Sequence, residues 1–160
     1  MADDPTISLD GLKEVLSRNG RLFGLDVGSK TIGLSLSDVS RTIASPFETI
    51  RRRKFSSDVD LLLDWSDQHQ VEGMVVGLPI NFDGSEGPRA QSTRAFVNNL
   101  SKRTHLYIAF WDERLSTAAV ERTLLEADAS RKRRGELIDK MAAAYILQGA
   151  LDFMNKLEAD

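Results

Sequence analysis

Apolar positions along this chain fall first into strand-like runs and then into alternating helix-like and strand-like runs. Over residues 21–27, Leu22, Phe23, Leu25 and Val27 make a nearly continuous apolar segment. Over residues 31–37, Ile32, Leu34 and Leu36 alternate with Thr31, Gly33, Ser35 and Ser37. Such alternation gives a strand two different faces. Gly28-Ser29-Lys30 and Asp38-Val39-Ser40 supply turns, and residues 42–50 are read as a third strand. Pro46 has no N–H to give a ladder, which puts that strand at an edge or a bulge. The domain is thus expected to open as an antiparallel meander.

Beyond residue 55 the period changes. Val59, Leu62 and Leu63 are spaced for a helix over residues 56–68, capped by Ser56 or Ser57. Met74, Val75, Val76 and Leu78 mark a short strand buried on both faces over residues 73–78. Residues 89–102 read as a helix, 106–111 as a second buried strand, 116–127 as a helix capped by Ser116 or Thr117, and 136–157 as a long final helix. Residues 141–151 are apolar almost all round, as in a helix packed tightly on a sheet. Polar segments at 79–88 and 128–135 read as mobile connections. Residues 1–20 read as an N-terminal appendage with a short helix over 8–18, Ser8 as its cap and Asn19-Gly20 as its stop. The order β-β-β-α-β-α-β-α-α predicts an α/β domain over residues 21–157. Its five-stranded mixed sheet has three antiparallel strands followed by parallel ones, flanked by helices.

Composition narrows the chemistry. The 160 residues are 41% hydrophobic and 28% charged, enough for one globular domain with a core of its own. No cysteine is present, which excludes thiolate metal sites and disulfides and leaves oxygen donors for any metal. No apolar run is long enough to span a bilayer, and the acidic N-terminus lacks the apolar run of a signal peptide, so the cytoplasm is the expected location and no membrane partner is expected. The formal net charge is −3, yet Arg51-Arg52-Arg53-Lys54 and Arg131-Lys132-Arg133-Arg134 are basic clusters suited to a phosphate backbone. Each reads equally as a solvated loop.

Three carboxylates carry candidate chemistry. Asp26 lies in an apolar strand, where a charge needs a partner, either a cation or a nearby side chain such as Lys30. Gly28 after it lets a phosphate approach the backbone. The pattern over residues 24–33 is also shared by actin-like ATPases, which enclose nucleotide between two domains. One domain of this length lacks the second half. Asp112 and Glu113 follow a buried strand at its carboxyl end, where ligands bind in α/β sheets. Being adjacent, only one of the two faces the site, and spacing alone leaves the choice open. Asp139 lies among apolar residues near the start of the final helix, beside Lys140. His69 and His105 read as surface histidines, and Asp58, Asp60 and Asp64 as the solvated face of a helix.

Several motifs stand in one order: Gly24-Leu25-Asp26-Val27-Gly28-Ser29-Lys30-Thr31-Ile32-Gly33, Ser37-Asp38, Val76-Gly77-Leu78-Pro79 with Asp83-Gly84-Ser85-Glu86-Gly87-Pro88, Asp112-Glu113-Arg114-Leu115-Ser116-Thr117, and Ile138-Asp139 leading to Ala142-Ala143 and Ile146-Leu147-Gln148. Together they resemble the YqgF family of bacterial pre-16S rRNA nucleases, also described as Holliday-junction-resolvase-like. The resemblance spans residues 21–152. It implies an RNase H-like fold, catalytic acids at Asp26, Glu113 and Asp139, and Mg2+ or Mn2+ held by the same three. It is the resemblance that prefers Glu113 to Asp112. The family's usual Lys-Arg is Lys30-Thr31 in this chain, one phosphate contact fewer. A pair of such cations about 3.5–4 Å apart stabilises both attacking and leaving oxygens of a phosphoryl displacement. Lys30, Arg114, Arg51, Arg52, Arg53, Arg131, Lys132, Arg133 and Arg134 are the candidate contacts to nucleic acid. The implied partner is precursor rRNA or branched DNA, with the ribosome as a further candidate. Monomer and homodimer both remain open, two cuts at a junction favouring a symmetric dimer. A non-catalytic RNA- or ribosome-binding module is the alternative of another class, and the intact acidic trio argues against it.

Overall fold

In a computed structural model of the chain, the structure describes residues 4–115 and 134–158 together with the isolated positions 121, 124 and 127. Strands β1 (Arg21–Val27), β2 (Thr31–Ser37) and β3 (Ala44–Arg51) form the expected meander, followed by α2 (Phe55–Gln68), β4 (Val71–Leu78), α3 (Pro88–Ser101), β5 (Tyr107–Asp112), a 3-10 turn (Glu113–Leu115) and the long helix α4 (Arg134–Glu158). A short helix, α1 (Leu9–Val15), precedes them. The sheet order is β3-β2-β1-β4-β5, antiparallel from β3 to β1 and parallel from β1 to β5. The helix expected over 116–127 lies largely outside the described residues.

Alternation sorts the side chains of β1 and β2. Phe23, Leu25, Val27, Ile32 and Leu34 enter a core shared with Val59 and Leu62 of α2 and Phe96, Val97 and Leu100 of α3. Leu22, Val75, Ala109 and Trp111 face the other way, onto Ile146, Leu147, Ala150 and Leu151 of α4. Pro46 lies in the edge strand β3, beside a register shift at Leu34/Ser35, so both expectations for it hold. The N-terminal appendage is packed onto the domain. Ser8 caps α1 by accepting from the Gly11 amide at 3.1 Å, Leu9 and Leu12 are buried against α4, and the Ile7 amide donates to the Ile108 carbonyl at 2.8 Å.

Two local expectations fail at α2. Its N-cap position is Lys54 and no side chain caps it, so neither Ser56 nor Ser57 does. Asp58 is not on a solvated face. It is buried, and both its oxygens accept from the Arg53 amide at 3.2 Å, satisfying a backbone donor just outside the helix.

The backbone of α4 lies unusually close to the sheet because the facing positions are small. A Cβ added at Gly33 would overlap the Asp139 carbonyl and come within 2.9 Å of the Lys140 amide nitrogen. At Gly24 it would meet Leu147 Cβ at 2.6 Å, and at Gly77 Ile146 Cδ1 at 2.5 Å. Between them Ser35 donates its hydroxyl to the Ala143 carbonyl at 2.7 Å, and Thr49 donates to the Glu136 carbonyl at 2.6 Å. Among the described residues no helix is long and apolar enough to cross a membrane.

Gly33→Ala is expected to destabilise the fold by about 3 kcal/mol, because the obstacle is helix backbone, which cannot rotate away. Gly87→Ala, whose added Cβ would meet only Asn81 Nδ2 at 3.7 Å, is expected to cost under about 1 kcal/mol. Urea-unfolding midpoints of the two variants check the contrast.

Candidate active site

Strand parity places the first two acids. Asp26 is the penultimate residue of β1, and Gly24 and Leu22, two and four positions earlier, face α4. Asp26 therefore faces α4 as well. It is paired in register with Gly33, on which the Asp139 backbone rests. In β5, Ala109 and Trp111 face α4, and continuing that parity by two residues selects Glu113. Gly77 corroborates this: a Cβ there would lie 3.4 Å from the Glu113 carboxyl carbon and 2.5 Å from Ile146. Asp112 has the opposite parity. Asp26 and Glu113 are nine-tenths buried, with relative exposures of 7% and 6%.

The third acid arrives on α4. Asp139 is partly buried, and its Oδ2 accepts from the Thr31 hydroxyl at 2.6 Å. Thr31, not Lys140, is thus a side-chain partner seen for it. β2 runs antiparallel to β1, so Thr31 and Gly33 lie at the carboxyl end of β1. All three acids consequently meet one end of the sheet on its α4 side. They do not close into a cage: among the described residues no three acidic or histidine side chains are gathered as a metal ion requires. In kind, the donor set fits a hard divalent cation, being all oxygen with two carboxylates withdrawn from water.

A cation reaches Asp26 from an unexpected element. Arg89, in the first turn of α3, places Nη2 3.3 Å from Asp26 Oδ1, so the ion-pair partner is Arg89 and not Lys30. In the sequence Arg89 stands only at the expected junction between the 79–88 loop and a helix, with no role expected of its side chain. The signal available was a cation directly after the 79–88 loop.

The candidate nucleic-acid contacts divide. Lys30, Arg52, Arg53 and Arg89 line an open groove of about 1110 Å3 beside the β1–β2 turn, with Phe55, Phe96, Ser92 and Asn99, and no carboxylate in its lining. Arg52 is committed to structure, since Nη1 donates to the Gly28 carbonyl at 2.7 Å and the guanidinium lies 5.4 Å from the Phe96 ring centre. Arg51 points elsewhere and pairs with Glu136 at 3.1 Å. Arg114 is held by Asp112, with Nη2 to Oδ2 at 2.8 Å, and donates to the Asn81 carbonyl at 3.5 Å. Arg131, Lys132 and Arg133 lie outside the described residues, and Arg134 begins α4. The loop over 79–88 is internally bonded: the Asn81 amide donates to the Ser85 carbonyl and the Ser85 amide to Asp83 Oδ1, both at 2.9 Å, with Gly84 in the left-handed region at φ 89°.

A sequence model described as RuvX, Holliday junction resolvase, matches residues 20–153. The chain belongs to the RuvX family. A protein of Paramagnetospirillum magneticum named "Putative pre-16S rRNA nuclease" is 64% identical over 148 residues, covering 92% of this chain and 96% of the relative. A protein of the same name from Rhodobacter capsulatus is 60% identical over 144 residues, covering 90% and 91%. RuvX membership makes the chain a hydrolase of the nuclease class and bears out the YqgF resemblance. Among solved structures, Thermus thermophilus RuvC in complex with Holliday junction substrate aligns with a TM-score of 0.53 at 12% identity, covering 82% of this chain and 93% of that one. The yeast mitochondrial Holliday junction resolvase Ydc2 aligns at 0.51 and 12%, covering 94% and 86%. At such identities these likenesses speak for the fold, and the RNase H-like architecture is the one expected.

The Arg114 guanidinium, hydrogen-bonded to Asp112, holds that carboxyl below its ordinary value against the opposing effect of burial. A carboxyl depressed on folding adds stability above its unfolded pKa and loses it as pH falls through the folded one. Asp112→Asn is therefore expected to cost about 1 kcal/mol at pH 7, the gap narrowing once the pH drops below about 4. Paired urea titrations across pH check this.

Proposed function

We propose that this chain is an endonuclease that hydrolyses phosphodiester bonds in 5'-end processing of pre-16S rRNA, with Asp26, Glu113 and Asp139 as its catalytic acids. The observation that carries the reading is that two nine-tenths-buried carboxylates from β1 and β5 share the α4 face at the carboxyl end of the sheet, where α4 brings a third. The names of relatives alignable over nine-tenths of their length support the substrate. Mg2+ or Mn2+ is the cofactor best suited to three carboxylates, and when bound it supplies Lewis-acid stabilisation of the phosphate and activation of a water.

The chain's own residues have separable tasks. Asp26 and Glu113 provide negative charge in a site shielded from water, where it acts more strongly than at the surface. Thr31 orients the Asp139 carboxylate through its hydroxyl. Lys30, Arg53 and Arg89 present cations to a phosphate backbone in a groove that opens beside Asp26. The reading keeps the chain in the cytoplasm, with precursor rRNA as partner and the ribosome as its setting.

A second reading, resolution of branched DNA, is favoured by the description of the family and by the fold shared with RuvC and Ydc2. Digestion of precursor rRNA and four-way DNA junctions side by side, with and without Mn2+, separates the two. Asp26→Asn is expected to fold normally and to lose cleavage of whichever substrate is cut, and undiminished cleavage would remove Asp26 from the machinery. Thr31→Val is expected to lower kcat roughly tenfold, as loss of an orienting partner does, while Thr31→Ser retains most of it. Single-turnover rates measure both.

A further inference from the structure

Arg89 has one foot in each of two sites. Its side chain, 51% exposed, lines the basic groove, and its Nη2 reaches back to the buried Asp26 carboxylate. The groove runs along the β1–β2 turn and α3, the side of the sheet carrying the α2/α3 core, whereas Asp26 faces α4. Arg89 thus connects the two. The contact is a single one at 3.3 Å. Arg114, by comparison, holds Asp112 through Nε and Nη2 at 2.8–3.1 Å and donates its backbone amide to the same carboxylate at 2.9 Å. A one-point, half-exposed guanidinium contact is easily exchanged for another anion, and phosphate is an anion that guanidinium binds in bidentate geometry. The groove is built for a polyanion: four cations line it with no carboxylate, in a chain whose net charge is −3.

We propose that Arg89 is a positioning residue that couples the two sites: it neutralises Asp26 while the groove is empty and transfers to a backbone phosphate when nucleic acid enters, so that the carboxylate is released for a divalent cation only with substrate in place. This rests on the nuclease reading above and adds to it the track of the backbone and the order of assembly. Because cation and nucleic acid then favour the same state, each must raise the affinity of the other by the same factor.

The test uses the intact chain, Mn2+ and a 20-nucleotide single-stranded RNA, with calorimetry for the metal and anisotropy for the RNA. Arg89→Ala is expected to bind Mn2+ roughly tenfold more tightly than wild type without RNA, since its competitor at Asp26 is gone. Arg89→Gln, closer in size, is expected to do the same. Both are expected to bind RNA more weakly, with the salt dependence reduced by about one phosphate contact. RNA should tighten Mn2+ binding in wild type and not in either variant. Lys30→Ala, in the groove but without a contact to Asp26, should weaken RNA binding and leave Mn2+ affinity unchanged. Equal Mn2+ affinity in wild type and both Arg89 variants would overturn the coupling while leaving the nuclease reading intact, as would a Lys30→Ala effect on Mn2+ as large as theirs. Absence of Mn2+ binding in every protein, with RNA still bound, would sink the coupling together with the cation assignment.

Discussion

The close seating of α4 on the sheet is the constraint on which the rest of the structure depends. Helix backbone normally stands off a sheet by the length of the side chains between them. At Gly33 and Gly24 there are none, and the helix carbonyls of Asp139 and Ala143 come down onto the strands. Position along a helix is set by such contacts more sharply than by apolar packing, which tolerates sliding between similar side chains. Ser35 and Thr49 pin the same helix by donating to its carbonyls, and the Gln148 side chain exchanges hydrogen bonds with Ala44 and Thr42 of the β3 region. The result fixes where Asp139 stands relative to Asp26, a residue on another element more than a hundred positions away.

The same end of the sheet is organised by charge. Acids there fall into two kinds. Asp112 is tied to Arg114 by several short bonds and shapes the turn after β5 together with the Asn81 carbonyl. Asp26 has a looser guanidinium contact and lies deeper, and Glu113 is buried above Gly77. Burial raises the cost of an uncompensated carboxylate, which is why the two buried acids are the reactive candidates and the Asp112–Arg114 pair is architecture.

Much of this was legible in the residues. Among the described residues, period-two and helical spacing located the five strands of the sheet and the helices packed on it, because burial pattern is written directly into side-chain choice. The elements carrying Asp26, Glu113 and Asp139 were likewise readable. Which of Asp112 and Glu113 faces α4, left undecided by alternation, follows from Ala109 and Trp111, whose facing depends on which layer α4 covers, a tertiary fact. Arg89 was missed for a similar reason: its partner is 63 positions away, and nothing local marks a surface arginine as one that bends toward a buried acid. Asp58 was misread because it stands in a row of acids with Asp60 and Asp64, while it is buried and its carboxylate accepts from the Arg53 amide in the chain entering the helix. The appendage, amphipathic but short, gave no sign of the surface it would cover.

That appendage has a consequence for how the molecule is made. Lys13 donates its ammonium to the Met154 carbonyl at 2.7 Å, 141 positions onward, and α1 and α4 bury their apolar sides together. Leu22, Val75, Ala109 and Trp111 therefore stay uncovered during synthesis until α4 has emerged behind every strand it shields. A chain that has made only its strands therefore has this apolar face without its cover.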